Sequence, residues 1–141
     1  MSDTYALRAI SLISRSIRTA YRDGKNVEAR HDMLLAAFFG GMCIASSSTT
    51  AVHALAYPLG GKYHIPHGLS NAVLLPLVME FNLDATEEKF CDIAGAMGID
   101  AKGLPAGEAA KKLIDELYSL VADLQIKESL NLKERGITIN D

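Results

Sequence analysis

The sequence predicts an all-α fold: one helical bundle of about six helices, in a single domain over residues 1–141. Apolar residues recur at three- and four-residue spacing along most of the chain, which is the period of an amphipathic helix. No run alternates polar and apolar residues for long enough to make a half-buried strand. The composition agrees, because 49% hydrophobic against 22% charged residues excludes an intrinsically disordered chain and suits one core. Internal repeats and low-complexity segments are absent from the sequence.

The first helix is expected over 4–21. Leu7, Ile10, Ile13, Ile17 and Ala20 or Tyr21 share a face, Arg8, Arg15, Arg18 and Arg22 lie off it, and Asp23-Gly24 stops it. A more apolar second helix is expected over 26–45, through MLLAAFFGGMCIA. Gly40-Gly41 within it costs about 1 kcal/mol per glycine relative to alanine, so a closely packed neighbour is expected there. Ser46 to Thr50 offers N-caps for a third helix near 49–59, with Pro58 and Gly60-Gly61 as its end. Pro66 opens a fourth helix through HGLSNAVLLPLVMEFN. That helix is apolar on nearly all sides, so it is expected to be buried, with a kink at Pro76. Thr86-Glu87-Glu88 starts a fifth that ends near Gly98. Leu104-Pro105 opens a sixth over about 105–124, with Leu113, Ile114, Leu117, Leu120, Val121 and Leu124 as its core stripe. The polar tail from Asn131 is expected to fray.

Charge and patterning exclude several classes of partner. Fourteen Lys+Arg against 17 Asp+Glu, a net charge of −3 with no basic run, argues against nucleic acid. No apolar stretch reaches the roughly 18–20 residues of a membrane span. The start, MSDTYALRAI, lacks the basic-then-apolar layout of a signal peptide. Cys43 and Cys91 stand far apart in no metal or redox spacing, and read as buried free thiols in a reducing cytoplasm.

Histidines are the candidate chemistry. Three of the four, His53, His64 and His67, fall within the segment V-H-A-L-A-Y-P-L-G-G-K-Y-H-I-P-H-G. His53 lies on the third helix and His67 in the first turn of the fourth. A loop between antiparallel helices can bring those two face to face, and two neutral imidazoles on facing helices are half of a divalent-metal site. Hydrogen-bonded core histidines would carry the same spacing, so both readings stand at this point. His31, in EARHD, reads as a solvated surface residue, and His64 as a loop residue that could line a pocket.

The segment from His53 to Asn82 resembles the signature of the iron-containing (group III) alcohol dehydrogenases. It has the 14-residue spacing from His53 to His67, Pro58-Leu59-Gly60, the triplet Pro66-His67-Gly68, Asn71, Leu75-Pro76 and the closing Phe81-Asn82. The flanks resemble the same family: Thr4 to Ile13, the EAR…M…A…GM pattern of Asn26 to Met42, and Lys89 to Gly98. The fold this resemblance implies is a dehydroquinate synthase-like C-terminal helical domain, incomplete here.

The resemblance implies an enzyme of two domains: an α/β domain that binds NAD(P), and a helical domain that holds a divalent metal, Fe²⁺ or sometimes Zn²⁺, in the cleft between them. His53 and His67 match the family's third and fourth metal ligands. The family's first two are an Asp and a His one helical turn apart, upstream of where this sequence begins, and the sequence contains no Asp-x-x-x-His pair. Weak or absent metal is therefore expected in this chain. Tyr57 stands where many members carry a histidine near the nicotinamide. It offers a hydroxyl and an aromatic face to that cofactor, but a tyrosine hydroxyl is too weak an acid to relay protons near neutral pH. The reaction implied is hydride transfer between a small alcohol, or the matching aldehyde or ketone, and NAD(P). An inert helical fragment used for binding or assembly is the alternative expectation. Self-association into a homo-oligomer is expected in either case, because a face left by missing partners would be apolar.

Overall fold

A computed structural model describes residues 2–130, and the polar tail from Asn131 lies outside them. Seven helices follow in order among the described residues: α1 (Ser2–Arg22), α2 (Val27–Ser47), α3 (Ala51–Tyr63), α4 (His67–Phe81), α5 (Leu83–Ala96), α6 (Ala106–Asp123) and α7 (Ile126–Leu130). None of the described residues is in a strand, so the all-α reading holds. The short α7 has no counterpart among the helices expected from the sequence.

Local chemistry sets most of the boundaries. Asn26 caps α2, its side-chain oxygen accepting the Ala29 N–H at 2.9 Å. Gly98 and Gly103 take left-handed φ values of 78° and 77° in the turn between α5 and α6, a conformation that costs glycine least. The sixth helix buries Leu113, Ile114, Leu117 and Val121 of its expected stripe, while Leu120 and Leu124 are half-buried. Thr86 marks a break inside α5 rather than its start, with φ −141° and its hydroxyl donating to the Asn82 carbonyl at 2.8 Å.

Four further expectations need correction. The third helix does not end at Pro58 or Gly60-Gly61, but runs through them to Tyr63. One proline removes a single ladder bond, and the end is instead closed by His64, left-handed at φ 54°, whose N–H meets the Gly60 carbonyl while the Ile65 N–H meets that of Leu59. Gly40 and Gly41 face open space, with nothing within 4 Å of where a Cβ on either would lie, because α2 packs on α1 through Ala29, Asp32 and Ala36 further back. The fourth helix is only partly buried. Ser70, Pro76 and Val78 are covered, but Leu77 is 53% and Phe81 89% exposed, since α3 flanks one side and α6 and α7 another. Cys43 and Cys91 are free, as expected, but half-buried rather than buried.

Two apolar clusters hold the helices together. Phe90 and Ala94 of α5 pack on Ala110, Leu113, Ile114 and Leu117 of α6, with Met79 and Leu83 against them. Ala9 and Leu12 of α1 pack on Ala36 of α2, with Ile13, Leu35 and Phe39 beside them. The α1–α2 hairpin joins the rest through α1 against α5, and the α3–α4 hairpin through α4 against α6. Between α2 and α3 the chain turns by 105°. No single helix among the described residues is long and apolar enough to cross a membrane.

A charged lock ties α1 to α2. Asp32 is 3% exposed, and its carboxylate receives the Arg15 guanidinium at 2.7 and 2.8 Å together with the Ser16 hydroxyl. These donors, Arg15 first, hold the Asp32 carboxyl well below the usual carboxylate value of 3.8. A depressed folded-state pKa gives stability that is present above the unfolded value and lost as pH falls through the folded one. Asp32→Asn is therefore expected to lower the thermal midpoint more near pH 7 than at about pH 3, where the wild type has begun to lose the same contribution. Circular-dichroism melts at both pH values check this, and an equal drop at each would contradict it.

Candidate metal centre

The site is built by the α3–α4 hairpin. Three residues, His64 to Pro66, turn the chain, and Ile65, 2% exposed, anchors the turn in the interior. Pro66 has no N–H to leave unpaired at the helix start, and the Ser70 N–H reaches its carbonyl at 3.0 Å. His67 is thereby fixed as the first residue of α4, opposite the first turn of α3.

This turn brings two of the candidate histidines together. The His53 and His67 rings lie 5.2 Å apart between centroids, inclined at 52°. Tyr57, one turn after His53, stacks its ring at 23° to that of His67, 6.3 Å away. His53 is half-buried and His67 exposed, so the pair is open to an ion from solvent. Beside them an open cleft of about 400 Å³ is lined by Thr50, Val52, His53, Asn71, Ala72 and Leu75.

The other two histidines are elsewhere. His31 is exposed on α2, its Nδ1 3.9 Å from an Asp32 oxygen. His64 is exposed and spent on the turn, as the left-handed cap of α3. Asn71 stands out in the sequence only as a motif residue. Its amide nitrogen lies 2.8 Å from the His67 carbonyl and 3.2–3.3 Å from both nitrogens of the His67 ring. The spacing of four residues on one helix face is the signal that could have paired it with His67.

As a donor set, two imidazoles suit Fe²⁺ and Zn²⁺ alike. Structural and catalytic sites of these ions use three or more protein ligands, and among the described residues no group of three His, Cys, Asp or Glu gathers at one point. The pair fits as part of a ligand set, the remainder of which the described residues do not supply.

The described residues thus form an all-α bundle with two histidine rings brought together on one hairpin, and no nucleotide-binding α/β unit is found among them. Similarity to known proteins makes this specific. Residues 1–141 match the Fe-containing alcohol dehydrogenase family, C-terminal, and the chain belongs to that family. It is 43% identical over 137 residues to the 1,3-propanediol dehydrogenase of Klebsiella pneumoniae, covering 97% of this chain and 35% of that protein. It is 43% identical over 129 residues to long-chain-alcohol dehydrogenase 1 of Geobacillus thermodenitrificans, covering 92% and 33%. Among solved structures, a 1,3-propanediol oxidoreductase superposes with a TM-score of 0.92 at 41% identity, over 99% of this chain and 36% of that one. An alcohol dehydrogenase from Oenococcus oeni does so at 0.84 and 39%, over 88% and 32%. The chain thus spans about a third of the length of the curated relatives it matches.

Proposed function

We propose that this chain contributes half of the metal site of an NAD(P)-dependent alcohol dehydrogenase that oxidises small alcohols or reduces the matching aldehydes or ketones. The observation that carries the reading is the approach of the His53 and His67 rings to 5.2 Å across the α3–α4 hairpin. His53 and His67 would hold Fe²⁺ or Zn²⁺ through ring nitrogens. When bound, such an ion supplies Lewis acidity toward the alcohol oxygen. Tyr57, 61% exposed beside His67, would offer its ring face and hydroxyl to the nicotinamide. The open cleft next to His53 gives a small substrate a mostly apolar wall in Val52, Ala72 and Leu75. Self-association is part of the same reading, because Leu34, Phe38, Leu55 and Leu77 stand more than half exposed, and apolar surface of that kind tends to be covered.

The test is metal content after dialysis. Two imidazoles hold a divalent ion weakly, so the 141-residue chain is expected to retain little iron or zinc, and His53→Ala or His67→Ala to remove what remains. Joining the chain to a segment that carries the family's Asp and His pair should give tight, stoichiometric binding that either substitution destroys. Stoichiometric metal in the short chain, indifferent to both substitutions, would place the site elsewhere.

A further inference from the structure

We propose that Asn71 is a positioning residue for the His67 ring. Its amide lies across the face of that imidazole and holds the ring toward His53, while leaving both ring nitrogens free in the ring plane. The proposal rests on the reading of His67 as a ligand for its purpose, though not for its geometry.

Three contacts fix the amide. Asn71 is one helical turn beyond His67, and its Nδ2 donates to the His67 carbonyl at 2.8 Å. This bond sets which end of the amide is which, because the opposite orientation would bring two carbonyl oxygens to the same distance. The same nitrogen lies 3.3 Å from Nδ1 and 3.2 Å from Nε2 of the ring. Those two nitrogens flank Cε1, so an atom nearly equidistant from both at that range cannot lie in the ring plane without overlapping Cε1. It must sit over the face. An amide N–H against a ring face is a weak but oriented contact, and it leaves the in-plane lone pair available to a cation and the in-plane N–H available to an acceptor.

The amide oxygen, Asn71 Oδ1, is buried with no hydrogen-bond partner among the described residues. Tyr57, on α3, lies near-parallel to the same ring at 6.3 Å. Partners that orient ligating histidines normally cost 10–100-fold in metal affinity when removed.

The experiment uses the whole chain, with Asn71→Leu and Asn71→Ala beside wild type. Leucine fills nearly the same branched volume but has no N–H. In the metal-free proteins, side-chain NMR reads the mobility of the His67 ring and the proton–proton cross-peaks between the His53 and His67 rings. Wild type is expected to show an ordered His67 ring with clear cross-peaks, and both variants a mobile ring with the cross-peaks lost. Zn²⁺ titration followed on the same signals should then give a dissociation constant raised about tenfold or more in both variants. Far-UV circular dichroism confirms that the helices persist. An ordered ring with intact cross-peaks in Asn71→Leu would overturn the proposal, since shape alone would then suffice. So would a loosened ring with unchanged Zn²⁺ affinity. Zn²⁺ binding indifferent to His67→Ala would instead overturn the ligand reading, with the metal-free ring signals still deciding the role of Asn71.

Discussion

Leu113→Ala is expected to cost about 2–5 kcal/mol of folding stability, the usual range for emptying a fully buried leucine site. Leu113 is 0% exposed at the centre of the α5–α6 cluster, with Phe90, Ala94, Ala110, Ile114 and Leu117 around it. The residues that could relax into the hole are already engaged with one another, and two of them are alanines with no side chain to swing in. The cost therefore includes the cavity as well as the lost transfer of methyl and methylene groups out of water. Whole domains are stable by only about 5–15 kcal/mol, so this single change consumes a large share. Lys111→Ala is the control: Lys111 is exposed on α6, and a surface truncation of that kind is expected to stay within about 0.5 kcal/mol. Urea unfolding of the three proteins measures the difference through the midpoint at constant slope. A loss below about 1 kcal/mol for Leu113→Ala would show that the cluster is looser than its burial indicates.

The contrast between α6 and α4 explains what the amino-acid sequence could disclose. Helix α6 has one apolar stripe and a charged remainder, so its period and its buried face are the same fact, and Leu113, Ile114, Leu117 and Val121 lie where the spacing puts them. Helix α4 is apolar all round, and hydropathy cannot say which neighbours will be present. Leu77 and Phe81 consequently stand exposed where the pattern predicts burial. Gly40-Gly41 and the Pro58–Gly61 stretch mislead for a related reason. Local propensities are worth about 1 kcal/mol at a glycine and count against tertiary packing worth more. The glycines of α2 simply face outward, and α3 continues past its proline because the turn at His64 and the burial of Ile65 define its end. For the candidate site, the spacing from His53 to His67 is legible, but 14 residues of sequence do not dictate a 5.2 Å approach. The three-residue turn and the first-turn placement of His67 do so, and the role of Asn71 becomes visible only once α4 is seen to put it one turn above that ring.

The largest expected effect concerns turnover. The 141-residue polypeptide on its own is expected to reduce neither NAD nor NADP in the presence of small alcohols, above the rate of buffer alone. Hydride transfer needs the nicotinamide carbon held in contact with the alcohol carbon, and holding two reactants in that geometry corresponds to effective molarities of about 10⁵–10⁸ M, or roughly 7–11 kcal/mol of barrier. The described residues can contribute Tyr57 and one wall of a cleft to such an arrangement. They contain no strand, and so no strand–glycine-loop–helix unit to seat a dinucleotide pyrophosphate on a helix N-terminus. The proposed ligand pair is incomplete as well, so Lewis-acid assistance would be weak even where a nicotinamide diffused in. Supplying a nucleotide-binding portion from a full-length relative, either fused or in trans, should raise alcohol-dependent NAD(P)H formation by several orders of magnitude, and His53→Ala or His67→Ala should abolish the gain. Absorbance of the reduced nicotinamide follows both experiments. Robust turnover by the short chain alone would show that these helices position the cofactor themselves. A complemented enzyme indifferent to both histidine substitutions would remove the metal role assigned to the α3–α4 hairpin and leave the chain as a helical binding or assembly module.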